Sequence, residues 1–243
     1  MNAADIGLAG LAASSILIAV AVAISMWRRL GLEGQLLWAA LRALVQLLIV
    51  GFALQLVIDN ENSLIYSLIW LVVMQLFAAY TTWRRAPEVP SVFPLALIAY
   101  SASMIVTLGV LFGFQVYEIE GRTIVPLAGV VVGNSLSATV LLSRRLFDAG
   151  RERRTEIEGR LALGLSATEA FQPVLRDSLR TALIPQIEST KAVGIIALPG
   201  AMVGLILAGV DPVDAVRVQI SVMYLVLGSV ATTTAVMSLG ISR

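Results

Sequence analysis

The 243-residue chain contains no cysteine and no histidine. Without cysteine there is no disulfide, no thiol redox step and no thiolate nucleophile. Without either residue there is no zinc site of the usual sulfur-and-imidazole kind. The missing histidine also removes imidazole acid–base catalysis. Charge is scarce: 14% of the residues are Asp, Glu, Lys or Arg, and 58% are hydrophobic. Soluble domains carry about a quarter charged residues, and the mean hydropathy here is +0.89, so a lipid bilayer is the expected solvent. No G-x-x-x-x-G-K-[ST] phosphate loop is present, so the chain lacks that device for holding ATP. Nucleophile–base pairs and paired carboxylates for acid–base work are also missing, which argues against an enzyme.

Apolar sequence dominates what remains. Seven stretches are long enough to cross a bilayer, which takes roughly 20 residues: 6–26, 35–57, 63–81, 92–116, 124–143, 192–208 and 216–239. The sixth is the shortest and contains Pro199 and three glycines. Asp5, not a basic segment, precedes the first stretch, so it reads as a retained span rather than a cleaved leader. The expected fold is all-α: one polytopic membrane domain over residues 1–243 with about seven transmembrane helices. No internal repeat or low-complexity segment interrupts it.

Lys and Arg set the orientation. Arg28 and Arg29 occupy the first loop, Arg84 and Arg85 the third, and nine basic residues the fifth. Arg122 and Arg217 are alone in the fourth and sixth loops. With Arg243 at the C-terminus, fourteen of the 17 basic residues thus fall on one side, which predicts an outer N-terminus and a cytoplasmic C-terminus. The outer loops are acidic, with Asp59, Glu61, Glu118, Glu120, Asp211 and Asp214.

The fifth loop, residues 144–191, is the polar exception. Its charges alternate from Arg151 to Leu163, with Glu152, Arg153, Glu156 and Arg160 toward water and Ile157, Leu161 and Leu165 on the other face. Gly164 is placed to end or bend that helix. Ser166 is a good N-cap and Glu169 completes a capping box, so a short helix is expected to start there. Pro173 should kink the chain or open a second helix, and Pro185 should stop it. Such a loop reads either as an amphipathic segment on the inner leaflet or as a docking element for a cytoplasmic protein. Asp148, Glu152, Glu156, Glu158, Glu169, Asp177 and Glu188 balance its basic residues, which argues against nucleic acid.

The spacing Glu158-x5-Gly164-x5-Ala170-Phe171 resembles the cytoplasmic loop of ABC-transporter permeases, with Gly159 and Arg160 in place of that pattern's two alanines. Three further motifs flank it in the family's order: RALVQLLIVGFAL (residues 42–54) and PLAGVVVGNSLSATVLL (126–142) before it, and ALIPQIESTKAVGIIALPGAMVGLILAGVDPVDAVRVQISVMY (182–224) after it. With them nearly the whole chain resembles the FetB-like family of ABC permeases, which takes in bacterial iron-exporter and plant aluminium-tolerance permeases. The resemblance implies a permease that dimerises and pairs with a cytoplasmic ATP-binding subunit, which would hold the ATP and Mg; this chain would bind no cofactor. It implies that Glu158, Gly164, Ser166, Glu169, Ala170 and Phe171 couple the permease to the ATPase, and that iron or another metal, or a metal-linked solute, is exported across the plasma membrane. The chain departs from the family in the sixth stretch, with Ala201, Val203 and Leu205 where Met, Thr and Gln are expected.

Candidates for the translocation path within the apolar stretches are the polar Arg42, Gln46, Asn134, Ser137 and Gln219, with Pro199, Gly200 and Met202 of the sixth stretch. Arg42 is the only charge assigned to a span interior, and it reads as a structural anchor or as a pathway group. Gly129, Gly133 and Ser137, like Gly200, Gly204 and Ala208, recur every four residues. Such stripes allow close helix packing or a dimer seam. Pro199-Gly200 suggests a kink that either only packs or serves as a hinge. Metal ligands cannot be assigned; oxygen donors or methionine sulfur would have to serve. The remaining alternatives are a stand-alone secondary transporter or channel and a membrane scaffold that recruits a soluble partner.

Overall fold

The computed structural model describes residues 8–58 and 62–241. The expectations placed on Asp5, Ile6, Asp59, Glu61 and Arg243 fall outside them. Among the described residues the regular structure is helical: α1 Leu8–Ser14, α2 Ile16–Arg28, α3 Glu33–Ile58, α4 Ser63–Arg85, α5 Val92–Gly113, α6 Gly121–Glu152, α7 Arg154–Ala162, α8 Ala167–Ala192, α9 Gly200–Leu207 and α10 Pro212–Ile241. Helices are the solution that a bilayer allows an open chain, because each satisfies its own backbone groups. Five of them (α3, α4, α5, α6 and α10) are long and apolar enough to cross a membrane.

The core lies where α4, α5, α6 and α10 meet. Small side chains let these helices approach closely: Ala79, Ala96, Ala99 and Ala128 are fully buried. Tyr100 fills the space they leave and is itself fully buried. Its hydroxyl lies 2.8 Å from Thr82 Oγ1, joining α5 to α4. Ser103 Oγ donates to the backbone oxygen of Ser229 at 3.0 Å, joining α5 to α10. The other buried hydroxyls mostly bond back one turn along their own helix, as Thr139 does to Ser135 O at 2.7 Å and Thr233 to Ser229 O at 2.7 Å. That arrangement lets a polar atom sit in an apolar core without a tertiary partner.

Helices α1–α3 stand at the edge of this bundle, and Val57 is the one buried side chain described on α3. The first apolar stretch is not one helix. Ser14 and Ser15 bond back to Gly10 O and Ala12 O, and the helix breaks between α1 and α2.

Residues 144–208 depart most from expectation. The helix of the fifth stretch continues past Arg144 to Glu152. Pro185 does not stop α8, and Pro173 neither ends nor starts a helix; both lie inside α8, which runs on to Ala192. The sixth stretch is not a continuous helix. Residues 193–199 are a non-helical segment closed by a Val193–Ala197 bridge, and α9 has only eight residues, about 12 Å of helix. Helix α8 instead folds back along α6 and α10. Phe171 meets α6 at Gly150, and Leu183 packs on the cluster of Ala138, Val226 and Val230. Those two points are twelve residues apart on both α6 and α8, as in an antiparallel pair.

Gly121 marks a tight crossing of α6 over α4. A Cβ there would lie 2.8 Å from Ser67 Oγ and 3.3 Å from Ser63 Cβ. Gly121→Val is expected to destabilise the fold by about 1–3 kcal/mol. Gly109→Ala, where no atom lies within 4 Å of the added carbon, should cost nothing. Thermal unfolding of both variants in detergent checks the contrast.

Candidate functional site: a capped elbow and a polar membrane face

The polar loop is built as two helices joined by a rigid elbow. Helix α7 ends in a paired hydrogen-bond closure: Gly164 N donates to Leu161 O at 2.9 Å and Leu165 N to Arg160 O at 3.3 Å. This closure needs a left-handed residue after the cap, and Gly164 supplies it with φ +87°. Two residues later α8 opens with the expected capping box. Ser166 N donates to Glu169 Oε2 at 2.9 Å, Glu169 N to Ser166 Oγ at 3.3 Å, and Ser166 Oγ to Glu169 Oε2 at 2.7 Å. The Ser166 hydroxyl, and then its backbone N–H, hold the Glu169 carboxyl below the usual carboxylate range.

Arg153 secures the other side of the corner. Its guanidinium donates to Glu156 at 2.8 and 3.0 Å and to Asp177 on α8 at 2.9 Å. The Arg153 hydrogen bond lowers the Glu156 carboxyl. Such exposed pairs add little stability, and only the one to Asp177 reaches across to α8. Glu158 pairs with Arg154 at 2.7 Å and points into solvent.

Within the elbow, Ala170 is buried. The Phe171 ring lies 3.4 Å from the position of a Cβ on Gly150. Phe171 also borders a cavity of about 260 Å³ whose walls include Val89 before α5, Leu146 on α6 and Ile241 at the end of α10. One aromatic side chain thereby connects the elbow with three parts of the bundle. Leu161, Leu163 and Leu165 are exposed at the tip, Leu163 to 84%. Leu163 escapes a sequence reading because it lies off the periodic apolar stripe.

The membrane candidates separate into distinct places. Asn134 and Ser137 on α6 are exposed at the bundle surface, and Asn134 Nδ2 donates to Val130 O at 2.8 Å. Gly133 beside them has no atom within 4 Å of its Cβ position. Gln219 on α10 is buried, and among the described residues its Oε1 has no hydrogen-bond partner; the buried Ser135 Oγ and Ser221 Oγ share that condition. Pro199 caps α9, with Gly200 exposed and Met202 half-buried. Arg42 and Gln46 stand apart on α3. Arg42 lines a cavity of about 480 Å³ with Tyr80, Thr81, Arg84 and Arg85, and among the described residues none of these three arginines forms an ion pair. No group of three or more acidic side chains that could hold a metal ion occurs among the described residues.

Ser166→Ala is expected to speed amide exchange at residues 167–170 about fivefold, the loss of a cap worth about 1 kcal/mol. Because folding lowers the Glu169 pKa, the stabilisation from its charge is complete above the ordinary Glu value and is lost as pH falls through the lowered one. In the unmodified chain, faster exchange at these residues should therefore begin only in the acid range below that of a free Glu, as exchange measured across pH would reveal.

Comparison with known proteins places this architecture. The family model described as "Uncharacterised protein family (UPF0014)" matches residues 8–243. The chain is 37% identical to the UPF0014 membrane protein STAR2 of Oryza sativa subsp. japonica, over 93% of this chain and 79% of that one. It is 33% identical to the Probable iron export permease protein FetB of Escherichia coli (strain K12), over 96% and 90% of the two chains. It is also 33% identical to the Protein ALUMINUM SENSITIVE 3 of Arabidopsis thaliana, over 93% and 82%. No solved structure gives a significant match. With its apolar helices and a match that runs from α1 to the end, the chain is a multi-pass membrane protein and belongs to the UPF0014 family.

Proposed function

We propose that this chain is the membrane subunit of an ABC transporter that exports metal cations from the cell, energised by a separate cytoplasmic ATP-binding subunit that holds the ATP and Mg. The permease reading is supported by the relative named a probable iron export permease. The aluminium-sensitivity name of another relative bears on metal in the same way. The observation that carries the coupling is the elbow: Gly164 and the Ser166–Glu169 box fix its shape, Leu163 offers an apolar tip, and Phe171 reaches the ends of the bundle. A nucleotide-driven push on that tip would pass through Phe171 to α6 and α10.

In this reading the subunit sits in the plasma membrane with seven crossings, an outer N-terminus and an inner C-terminus. The sixth crossing is made by α8, while residues 193–207 lie between α8 and α10. The exposed Gly133–Ser137 edge of α6 is the seam for a second copy, since small residues allow close approach there. The path runs by Asn134, Ser137 and Gln219 and past the break at Pro199, Gly200 and Met202. Arg42 stands outside it, because three guanidinium groups around one cavity repel a cation.

The test is ATP hydrolysis by a partner ATPase from the same genome, titrated with this protein in nanodiscs. Stimulation is expected. The Gly164→Pro, Glu169→Lys double variant should reduce it about tenfold, the loss of about 1.4 kcal/mol of coupling. Proline cannot adopt the positive φ of Gly164, and lysine breaks the capping box. Failure of every candidate ATPase to respond would overturn the ABC reading in favour of a stand-alone transporter.

A further inference from the structure

Glu188 and Lys191 lie on the exposed side of α8. Lys191 Nζ is 2.8 Å from Glu188 Oε1, and the two side chains are 66% and 61% exposed. Their place on a polar segment suggests the water phase, but the packing of α8 puts them elsewhere. Leu183 packs on the cluster of Ala138, Val226 and Val230, whose two valines lie near the middle of the apolar helix Pro212–Ile241. Glu188 is five residues further along α8, about 7–8 Å, and Lys191 about 12 Å. Half the hydrocarbon thickness of a bilayer is about 15 Å, so both charges fall within it.

Charged side chains facing lipid tails at that depth are strongly disfavoured, and they occur where they meet water, a counter-charge or a pathway. The pair formed with Lys191 meets part of the requirement. Among the described residues neither side chain has another hydrogen-bond or ion-pair partner, which leaves the second carboxylate oxygen and two ammonium protons unsatisfied. The opposite side of the same turn is polar too: Gln186 and Thr190 are half-buried, and Thr190 Oγ1 donates to Gln186 O at 2.8 Å. Just beyond, the helix stops at Ala192 and the chain runs through the non-helical residues 193–199. The C-terminal end of α8, one turn past Glu188, carries the negative end of the helix dipole, which favours a cation; Thr190 O and Ala192 O there also accept from Val193 N, Ile196 N and Ala197 N.

We propose that this face of α8 borders a water-filled space inside the membrane, and that Glu188 is a carboxylate the transported cation meets there, with Lys191 as its counter-charge when the cation is absent. Arrival of the cation exchanges one positive partner for another, so the carboxylate is never left uncompensated. The role of Glu188 rests on the transport reading above; the water-lined face does not.

The missing cysteine makes the test direct, since single-cysteine variants react without background. Glu188→Cys, Lys191→Cys and Ile105→Cys would be treated with a charged, membrane-impermeant methanethiosulfonate, each in nanodiscs as the complex with its ATPase. Ile105 is the lipid-facing comparison, 73% exposed on the apolar α5. Thiols react as thiolates, which form in water and not in lipid, so reaction at positions 188 and 191 should be at least about tenfold faster than at 105. Equal rates would overturn the water-lined face. In proteoliposomes with Fe2+ as the probe, Glu188→Gln should lower ATP-driven flux about tenfold while Glu188→Asp retains most of it. ATPase stimulation by the Glu188→Gln variant should persist. Flux at the unmodified rate in Glu188→Gln would overturn the carboxylate's role. Lack of ATPase stimulation by the unmodified chain would overturn the transport reading, and the labelling rates would still decide the face.

Discussion

A polar group inside a bilayer must find its partner within the protein, and the structure is organised around that requirement. The buried hydroxyls of Thr82, Thr139, Ser143, Thr233 and Thr234 all bond back along their own helices. This frees the helix faces to meet through alanine, and Tyr100 closes the remaining gap with its one hydroxyl shared to Thr82. Few side-chain bonds need to cross from helix to helix. The bundle is held by close packing, with Ser103 to Ser229 as a cross-helix tie.

The elbow follows the opposite rule. Outside the apolar bundle, water satisfies backbone groups at no cost, so a fixed shape must come from local closure. The chain provides it twice within six residues, with a left-handed glycine ending α7 and a serine–glutamate box opening α8. The elbow is thus held by its own local hydrogen bonds rather than by burial. That suits a segment whose outer surface stays free while its inner residue, Phe171, packs on the bundle.

The sequence exposes much of this. The capping box, the turn at Gly164 and the long apolar helices α3, α4, α5, α6 and α10 can all be read from spacing and composition. The path of α8 cannot. A hydropathy window rewards unbroken apolar sequence, so it selects residues 192–208, whose glycines and Pro199 prevent a continuous helix. It passes over α8, whose stripe of Ala170, Val174, Leu175, Ser178 and Ala182 packs against neighbouring helices while its other face carries charge. Pro185 reads as a stop, yet tertiary packing along α6 and α10 carries the helix through it. The first stretch misleads in the other direction: it looks uniformly apolar, yet the helix breaks at Ser15. Among the candidate residues, those of the elbow come together in space, whereas the fold sets Arg42 at the edge of the bundle on α3, beside Arg84 and Arg85 and away from Gln219 in the core.

The two prolines of α8 have a mechanical consequence. Each lacks an N–H, so the carbonyls one turn earlier, at Glu169 and Thr181, lose their ordinary helical donors. The helix thereby has two compliant joints twelve residues apart, one beside the elbow and one near the level of Leu183. Between them the rod keeps its length, because the remaining hydrogen bonds do not stretch. In the proposed transporter, displacement entering at the elbow would emerge beyond Pro185 as a change of angle, so that a small sideways shift at one end would become a swing of the segment that carries Glu188 at the other.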